Sequence, residues 1–410
     1  MSFPASTFLV LIPGTPSTPA ITLFSSRTNW DFRSSELFAL LGEKRGRGEE
    51  IIDLTEANPT RCGFEYDERS ILQALATQGS LTYAPDPKGL LSARMAVAEF
   101  YRRQGITIDP ECVFLTASTS EAYAFLFRLL CDVGDSVLVP KPSYPLFDYL
   151  CELNDVMPAH YHLAYDGEWH LDVSSLEQAF SRGTRAVVVV HPNNPTGSFL
   201  KIPERETVAT FAGRRNLPLI IDEVFNSFAF GADDRRAPSF AANERTLTFV
   251  LNGLSKLLGL PQMKLAWVVV SGPTAERDDA IKRLEIIADT FLTVATPVQV
   301  ALPSLLRDTM AVTKQIGSRV QNNYRQVGEM VVGSSVSAFQ CEGGWSALLR
   351  LPSTMPDEKW ALELLQNQNV LAHPGHLFDI DQRSCIVLSL LPKPGVVRQG
   401  LQRIAQVAGM

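Results

Sequence analysis

Four consecutive valines at positions 187–190, preceded by Ala186, are the feature that most limits how this chain can fold. β-Branched residues without polar alternation predict a strand that is buried on both faces, and such strands are typical of parallel sheets covered by helices. Five similar runs, separated by helical stretches, occupy residues 113–115, 136–139, 217–221, 247–251 and 266–270. The pattern therefore predicts an α/β fold with a large, mostly parallel sheet covered by helices.

The pattern changes after about residue 275, where helical periodicity gives way to short strand-like runs at residues 346–351 and 385–390. A chain of 410 residues also exceeds the size at which a single hydrophobic core stops growing, so we expect two domains. We predict an N-terminal extension (1–30), a segment contributing to the small domain (31–75), a large domain (76–290) and a small C-terminal α+β domain (291–410).

Composition argues against several classes of protein. The net charge of −7 disfavours a broad basic surface for nucleic acid, and no run approaches the roughly 20 apolar residues of a membrane span. The N-terminus has no basic segment before its apolar patch, so we predict no signal peptide. The six cysteines have no C-x-x-C spacing, which argues against a disulfide scaffold and a cysteine-type zinc site. We expect a cytoplasmic protein with reduced thiols and no metal, membrane or nucleic-acid partner.

Polar groups follow four of the predicted strands. A hydroxyl-rich segment (116–120) leads into a helix, a turn rich in Pro and Asn (191–197) follows the valines, and Asp222 and Lys256 follow the next two strands. Each has an ordinary structural explanation, such as helix capping, a rigid turn or a solvated lysine. Because ligands bind beyond the carboxyl ends of parallel strands, however, we expect these groups to meet at one edge of the sheet.

The combination of these groups suits pyridoxal 5′-phosphate. Hydroxyls and backbone N–H groups at a helix N-terminus bind a phosphate, and a lysine between two apolar runs can form a Schiff base with an aldehyde. A carboxylate pairs with the pyridinium nitrogen and keeps it protonated, so that the ring acts as an electron sink. We therefore predict a pyridoxal-phosphate site with Lys256 and Asp222 at its centre.

At six places, in order and at matching spacing over roughly residues 35–405, the sequence resembles the fold-type I, class I/II aminotransferases, an aspartate aminotransferase-like family. The segments that carry the resemblance are Tyr83-Ala84-Pro85-Asp86-Pro87-Lys88-Gly89-Leu90, Ser118-Thr119-Ser120, Pro142-Ser143-Tyr144-Pro145, Asn193-Asn194-Pro195-Thr196-Gly197, Asp222-Glu223-Val224-Phe225 and Ser255-Lys256. The resemblance implies a seven-stranded large sheet and a homodimer with shared active sites.

The resemblance also implies a role for individual residues. Lys256 would form the Schiff base and move the proton between substrate and cofactor, and Asp222 would bind the ring nitrogen. Asn194 would bind the phenolic oxygen and border the substrate, and Tyr144 would stack on the ring. Tyr83 would reach the phosphate of the partner subunit's cofactor. The residues implied to surround the phosphate within one subunit are Ser118, Thr119, Ser120, Ser255 and Lys264.

Three positions depart from the family pattern. Phe225 stands beside the cofactor where a tyrosine usually donates to the phenolic oxygen, so we expect a raised Schiff-base pKa. Lys264 replaces an arginine and loses its bidentate grip on phosphate. Val387 stands where an arginine usually binds the substrate α-carboxylate. Either the substrate lacks a carboxylate at this place or another cation binds it. We predict that Arg61, which follows Asn58-Pro59-Thr60, supplies the cation; the other candidates are Arg350, Arg383 and Arg398.

The predicted activity is exchange of an amino group between an amino acid and a 2-oxo acid. An alternative on the same scaffold is a pyridoxal-phosphate lyase that cleaves a carbon–sulfur bond or forms a cyclopropane ring, because it needs the same lysine and aspartate. A transcriptional sensor is disfavoured, since only about 30 residues precede the family-like region and they contain no basic helix-turn-helix pattern.

Overall fold

The computed structural model describes residues 23–30, 35–292, 294–308 and 310–409, with the side chain of residue 308 left out. Its helices are α1 (Glu36–Gly46), α2 (Glu68–Leu75), α3 (Leu91–Arg102), α4 (Thr119–Leu130), α5 (Phe147–Glu152), α6 (Val173–Ala179), α7 (Ile202–Arg215), α8 (Leu254–Leu257), α9 (Thr274–Phe291), α10 (Thr296–Asp308), α11 (Ala311–Val331), α12 (Asp357–Gln368) and α13 (Pro394–Val407). Its strands are β1 (Ile52–Asp53), β2 (Val113–Thr116), β3 (Ser136–Lys141), β4 (Met157–Tyr165), β5 (Trp169–Leu171), β6 (Thr184–Val190), β7 (Leu219–Asp222), β8 (Thr248–Gly253), β9 (Ala266–Ser271), β10 (Ser337–Ala338), β11 (Ser346–Arg350), β12 (Val370–Leu371), β13 (His373–Pro374) and β14 (Cys385–Ser389).

The large sheet has the strand order β2-β9-β8-β7-β6-β3-β4-β5. Five neighbouring strands, from β4 through β3, β6 and β7 to β8, pair in parallel, whereas β9 is antiparallel to both β8 and β2. The valine run lies in β6, near the middle of this sheet, where both faces are covered. The predicted α/β architecture is confirmed.

The number of strands in this sheet is corrected from seven to eight. The last strand, β5, has only three residues and folds back antiparallel onto β4. Strand β4 itself was missed, because Met157–Tyr165 mixes polar and apolar residues and most of its side chains remain partly exposed. An edge strand of this kind lacks the uninterrupted apolar signal that marks the central strands.

Helices cover the two faces of the large sheet. On one face, side chains such as Ile220 and Phe249 form a core with Tyr123 and Phe127 of α4 and Leu284 of α9. On the other face, residues such as Val187 and Ile221 pack against helices that include α3 and α7. Side chains of one strand therefore alternate between two separate apolar layers, as period-two geometry requires.

A second, antiparallel sheet has the order β10-β11-β14-β13. The short β1 pairs in parallel with β12, and Leu37 and Leu41 of α1 pack against Ala361 and Leu365 of α12. The segment after residue 35 is thus built together with the C-terminal elements. The contribution of residues 31–75 to a small domain stays a prediction.

Part of the predicted N-terminal extension contacts helix α5 and the turn that follows it. The Arg27 guanidinium donates to the Asp155 carboxylate at 2.6 Å, and the Trp30 indole N–H donates to Glu152 at 2.9 Å. The Trp30 ring also meets Tyr149 edge-on, with ring centroids 5.6 Å apart. Residues 1–22 and 31–34 lie outside the described residues. Across the helices that are described, no segment is long and apolar enough to span a membrane.

Candidate active site

The strand register brings the predicted polar groups to one edge of the large sheet. Val190 at the end of β6 pairs with Asp222 at the end of β7, and Asp222 pairs with Leu251 of β8. Thr116 of β2 and Gly253 of β8 both pair with Ala266 of β9. The segments that follow β2, β6, β7 and β8 therefore leave the sheet side by side.

Asp222 is a buried carboxylate with two identified donors. The backbone N–H of Val224 donates to its Oδ1 at 3.1 Å, and the Tyr123 hydroxyl donates to its Oδ2 at 3.2 Å. Burial raises the pKa of Asp222 to about 6, and these two hydrogen bonds and the nearby Lys256 amine oppose that rise. The group is therefore mostly ionised at neutral pH, and each oxygen retains a free lone pair for another donor.

Lys256, just after β8, places its amine beside two aromatic rings that contact each other. Its Nζ is 5.5 Å from the ring centroid of Phe225 and 5.1 Å from that of Trp345. The two rings meet edge-on, with centroids 5.4 Å apart. Burial lowers the pKa of the Lys256 ammonium, and the negative charge of Asp222 opposes this only in part. A lowered pKa leaves more of the free amine, which is the nucleophilic form.

Helix α4 begins directly after β2 and is capped by its own side chains. The Ser118 hydroxyl accepts from the Glu121 N–H at 3.1 Å, and the Glu121 carboxylate accepts from the Ala117 N–H at 2.6 Å. Thr119 and Ser120 form the first turn, where a helix provides no internal acceptor for its N–H groups. Those two N–H groups and the neighbouring hydroxyls can bind an anion.

The turn after β6 is locked to the entrance of β11. Asn194 contacts Ser346 at 3.5 Å between Oδ1 and Oγ, and the Asn193 amide donates to the Pro142 carbonyl at 3.2 Å. Gly197 has a φ of +69°, and a Cβ there would lie 2.2 Å from Cys341 Sγ and 2.3 Å from Gly343 O. Only glycine fits, so the turn that carries Asn194 is fixed against the second sheet.

Four other predicted residues lie in more open positions. Tyr144 follows β3 in a loop and is 39% exposed, and Tyr83 is 69% exposed. Lys264 is exposed and has a left-handed backbone with φ +51°. Arg61 ends a short 3₁₀ turn (Pro59–Arg61), and its side chain is exposed. Within the one subunit, these four side chains have solvent-facing surface that a ligand or a second chain can cover.

Val387, which replaces the expected arginine, is packed in an apolar cluster. It is 2% exposed and lies among Trp169, Phe339 and Leu348. Its register partner on β11 is Leu348, two positions from Ser346 on the same face. The nearby Arg350 lies over the Phe339 ring at 4.7 Å and donates to Gln382 at 2.9 Å.

The donor set fits pyridoxal phosphate. Lys256 offers an amine with a lowered pKa, Asp222 offers an ionised carboxylate with free lone pairs, and the first turn of α4 offers N–H groups and hydroxyls. In addition, the indole N–H of Trp345, beside Lys256, is buried and has no hydrogen-bond acceptor within the described part of the chain. An amine, a carboxylate and an anion-binding helix end are the three groups that this cofactor's aldehyde, ring nitrogen and phosphate require.

Two residues of the site were missed in the sequence. Tyr123 stands in an apolar helical stretch where its ring suits the core, and only the isolated hydroxyl could have suggested a polar contact. Trp345 follows Gly343-Gly344 some 90 positions after Lys256, and nothing in the local pattern connects the two. Neither residue could be recognised from the sequence, because the groups that each one contacts are distant along the chain.

Known proteins are similar to this chain over most of its length. Residues 48–404 match the family described as aminotransferase class I and II. The glutamate-pyruvate aminotransferase AlaA of Haemophilus influenzae is 26% identical over 372 residues, covering 88% of this chain and 91% of that protein. The alanine aminotransferase of Mycobacterium tuberculosis is 28% identical over 375 residues, covering 87% of this chain and 85% of that protein.

Solved structures have the same fold. An aminotransferase from Escherichia coli superimposes with a TM-score of 0.83 at 24% identity, covering 95% of this chain and 98% of that chain. The alanine aminotransferase of Pyrococcus furiosus also gives a TM-score of 0.83, at 23% identity, with 91% of this chain and 96% of that chain covered.

Proposed function

Because the chain belongs to the aminotransferase class I and II family, we propose that it exchanges an amino group between an amino acid and a 2-oxo acid, with Lys256 and Asp222 as its catalytic residues. The cofactor of this family is pyridoxal 5′-phosphate. The observation that carries the assignment is a buried carboxylate at one sheet edge, close enough to a half-buried lysine with a lowered pKa for the two charges to act on each other. The two residues are 34 positions apart, so the fold of the sheet, and not their proximity along the chain, brings them together.

The chain's own residues have distinct tasks in this reaction. When bound, the cofactor supplies an electron sink for substrate electrons. Lys256 would hold the cofactor covalently at its aldehyde carbon, with the aldehyde oxygen leaving as water, and its free amine would move the proton at the substrate carbon. Asp222 would pair with the ring nitrogen and keep it protonated. Phe225 and Trp345 exclude water from around the amine, which keeps its pKa low.

The other predicted site residues are assigned to the cofactor's phosphate, phenolic oxygen and ring face. We assign Thr119 and Ser120, with Ser118, Ser255 and Lys264, to the phosphate. Asn194 is assigned to the phenolic oxygen and to the substrate. The rigid turn that carries Asn194 holds this residue in one position. Tyr144 is assigned to the ring face, since an exposed aromatic ring beside the site can stack on another ring.

Amino transfer and lyase chemistry differ in what they require. A transferase needs a 2-oxo acid acceptor for turnover, whereas a lyase releases ammonia and an oxo acid without one. We expect turnover of an amino-acid panel only when a 2-oxo acid is added. Because the relatives carry glutamate-pyruvate and alanine aminotransferase names, glutamate, alanine and pyruvate belong in the panel. Ammonia release without an acceptor would instead support the lyase alternative.

We also propose that Arg61 binds the substrate carboxylate, since Val387 cannot. Arg61→Ala should raise KM and cost about 2 kcal/mol of transition-state binding, the lower end for an ion pair because the guanidinium is exposed in the free protein. The matched control is Arg383→Ala, which removes another exposed arginine on the second sheet's side. This variant should leave KM and kcat nearly unchanged. Unchanged kinetics of Arg61→Ala on the best substrate would remove Arg61 from the site.

A homodimer with shared sites is the proposed assembly. Apolar side chains lie exposed on the loop around Tyr83 and at the end of α9: Leu81, Tyr83, Phe291 and Leu292. A Cβ added at Gly79 would lie 3.6 Å from Cγ1 of Val300 on α10, so this loop rests on the helix that follows α9. Exposed apolar surface of this kind marks an interaction site, and a second copy would cover it.

Mixed dimers test the shared site. Tyr83→Phe should weaken cofactor binding about tenfold by removing one donor to a charged phosphate. A dimer that pairs a Tyr83→Phe subunit with a Lys256→Ala subunit contains one site with both native groups. At a cofactor concentration that leaves Tyr83→Phe dimers empty, half of the sites in the mixed dimer should fill and turn over. A fully active monomer would contradict the proposal.

The proposed large domain covers residues 76–290, and the proposed small C-terminal domain covers residues 291–410, to which residues 31–75 contribute.

We propose that the enzyme acts in the cytoplasm. All six cysteines are free thiols, and five of them are buried. Burial raises the pKa of Cys62, Cys131 and Cys341 to about 12, so these thiols are unreactive. Unpaired cysteines are typical of proteins in a reducing compartment.

A further inference from the structure

We propose that Tyr123 is a positioning residue for the reaction: its hydroxyl fixes Oδ2 of Asp222 and keeps that carboxylate ionised opposite the cofactor's ring nitrogen. This inference rests on the proposed function. It is carried by a direct contact, the 3.2 Å hydrogen bond from the Tyr123 hydroxyl to Asp222. Tyr123 does not belong to any of the sequence motifs that indicated the cofactor site.

The Tyr123 side chain is held in place by aromatic neighbours. It is 4% exposed, and its ring meets Phe147 edge-on, with centroids 5.1 Å apart, and Phe127 at 5.9 Å. A ring packed on two sides has one orientation, so its hydroxyl is directed at one place. That hydroxyl is a donor throughout the working range, because burial and the adjacent carboxylate hold the pKa of Tyr123 well above its usual value.

Helix α4 connects two parts of the site. Its first turn contains Thr119 and Ser120, and Tyr123 follows about one turn later. The same rigid element therefore supplies the phosphate site and the bond to Asp222. A hydrogen bond from a helix at one end of the ligand to the acid at the other end fixes the spacing between them, which is the kind of pre-organisation that catalysis requires.

The hydrogen bond also changes the proton affinity of Asp222. Donors to a carboxylate favour its ionised form, and burial disfavours it. Without the Tyr123 donor, Asp222 becomes a stronger base and competes better for the proton that the ring nitrogen must keep. The other ionisable group that acts on Asp222 is Lys256. Those that act on the Tyr123 hydroxyl include Cys151 and Tyr161, which carry no charge in the working range because burial raises the pKa of each.

The test is Tyr123→Phe, which removes one oxygen and keeps the ring. The matched control is Tyr161→Phe, a buried tyrosine on the opposite face of the sheet whose hydroxyl donates to the Val188 carbonyl at 2.8 Å. Both variants lose one buried hydrogen bond, so a merely structural role would affect them alike. The primary readout is the Asp222 pKa in the cofactor-free protein, measured from its carboxyl ¹³C shift, which does not depend on activity.

In Tyr123→Phe we expect the pKa of Asp222 to rise by about one pH unit, as the loss of one hydrogen bond to a charged group implies. In the loaded enzyme, kcat should fall about tenfold and the acidic limb of the kcat/KM profile should move to higher pH. The ¹⁵N shift of labelled pyridoxal phosphate should report a less protonated ring nitrogen. Tyr161→Phe should leave all three unchanged.

An Asp222 pKa and a pH profile in Tyr123→Phe equal to those of the unsubstituted protein would overturn the inference. If that variant failed to fold, ring-labelled tyrosine in the unsubstituted protein would serve: one tyrosine resonance must titrate together with Asp222 and stop titrating in Asp222→Asn. No such resonance would also overturn it. Failure of the proposed function is distinct, because the unsubstituted protein would then not bind the cofactor through Lys256 at all.

Discussion

Lys256→Ala is expected to lower turnover by at least about three orders of magnitude. The variant loses the nucleophile that bonds the cofactor and also the base that moves the substrate proton, and proton transfer alone contributes about 10²–10⁴-fold. The purified unsubstituted protein should be yellow, and borohydride should fix the cofactor onto Lys256. The alanine variant should be unlabelled, although it can still bind the cofactor non-covalently through the phosphate site.

Peptide mapping of the reduced, labelled protein provides the measurement. The matched control is Lys282→Ala, which removes an exposed lysine on α9 and should leave both labelling and turnover unchanged. A covalent label on another lysine, or normal turnover of Lys256→Ala, would contradict the assignment of Lys256.

Asp222→Ala should lower kcat much more than it lowers the affinity for the cofactor. The ion pair with the ring nitrogen matters most when the ring accepts electrons, so its loss is a transition-state effect of about 10²–10³-fold in kcat. Cofactor affinity should fall much less, since the covalent bond and the phosphate contacts remain. Single-turnover absorbance measurements with a saturating amino acid separate the proton-transfer step from binding.

Glu223 offers a close control for Asp222. It is the next residue, is also buried, and has a pKa raised to about 7 by that burial. Its carboxylate, however, accepts from the Ser239 hydroxyl at 2.7 Å and the Phe240 N–H at 2.8 Å. Glu223→Gln should therefore lower stability while leaving kcat within a few-fold. Near-normal turnover of Asp222→Ala would exclude Asp222 from the site.

The central strands and the residues after them could be predicted from the sequence because their signals are local. A strand buried on both faces reads as an uninterrupted apolar run, as in β6, and a parallel sheet places the residues that follow its strands at one edge. On this basis the sequence predicts that Asp222 and Lys256 lie at the same edge, where the strand register places the ends of β7 and β8 side by side. The edge strands β4 and β5 could not be predicted in this way, because half-exposed strands mix polar and apolar residues.

Contacts between distant segments could not be predicted in the same way. The Tyr123–Asp222 bond spans 99 positions, and Trp345 reaches Lys256 from another sheet. A tyrosine or tryptophan in an apolar stretch has the same local pattern whether its polar atom meets a catalytic group or a backbone carbonyl. Packing selects between these outcomes, and packing depends on the whole chain.

The apolar cluster around Val387 restricts how this protein can evolve. An arginine at position 387 would enter the filled apolar cluster that contains Trp169 and Phe339, where an unpaired guanidinium costs several kcal/mol. That step is tolerated only after a neighbouring ring has become smaller, so the order of mutations matters. We expect that a lineage starting from this sequence does not gain a carboxylate-binding arginine on β14 in one step. We therefore expect substitutions that change substrate preference to occur in exposed loops, such as the one that carries Arg61.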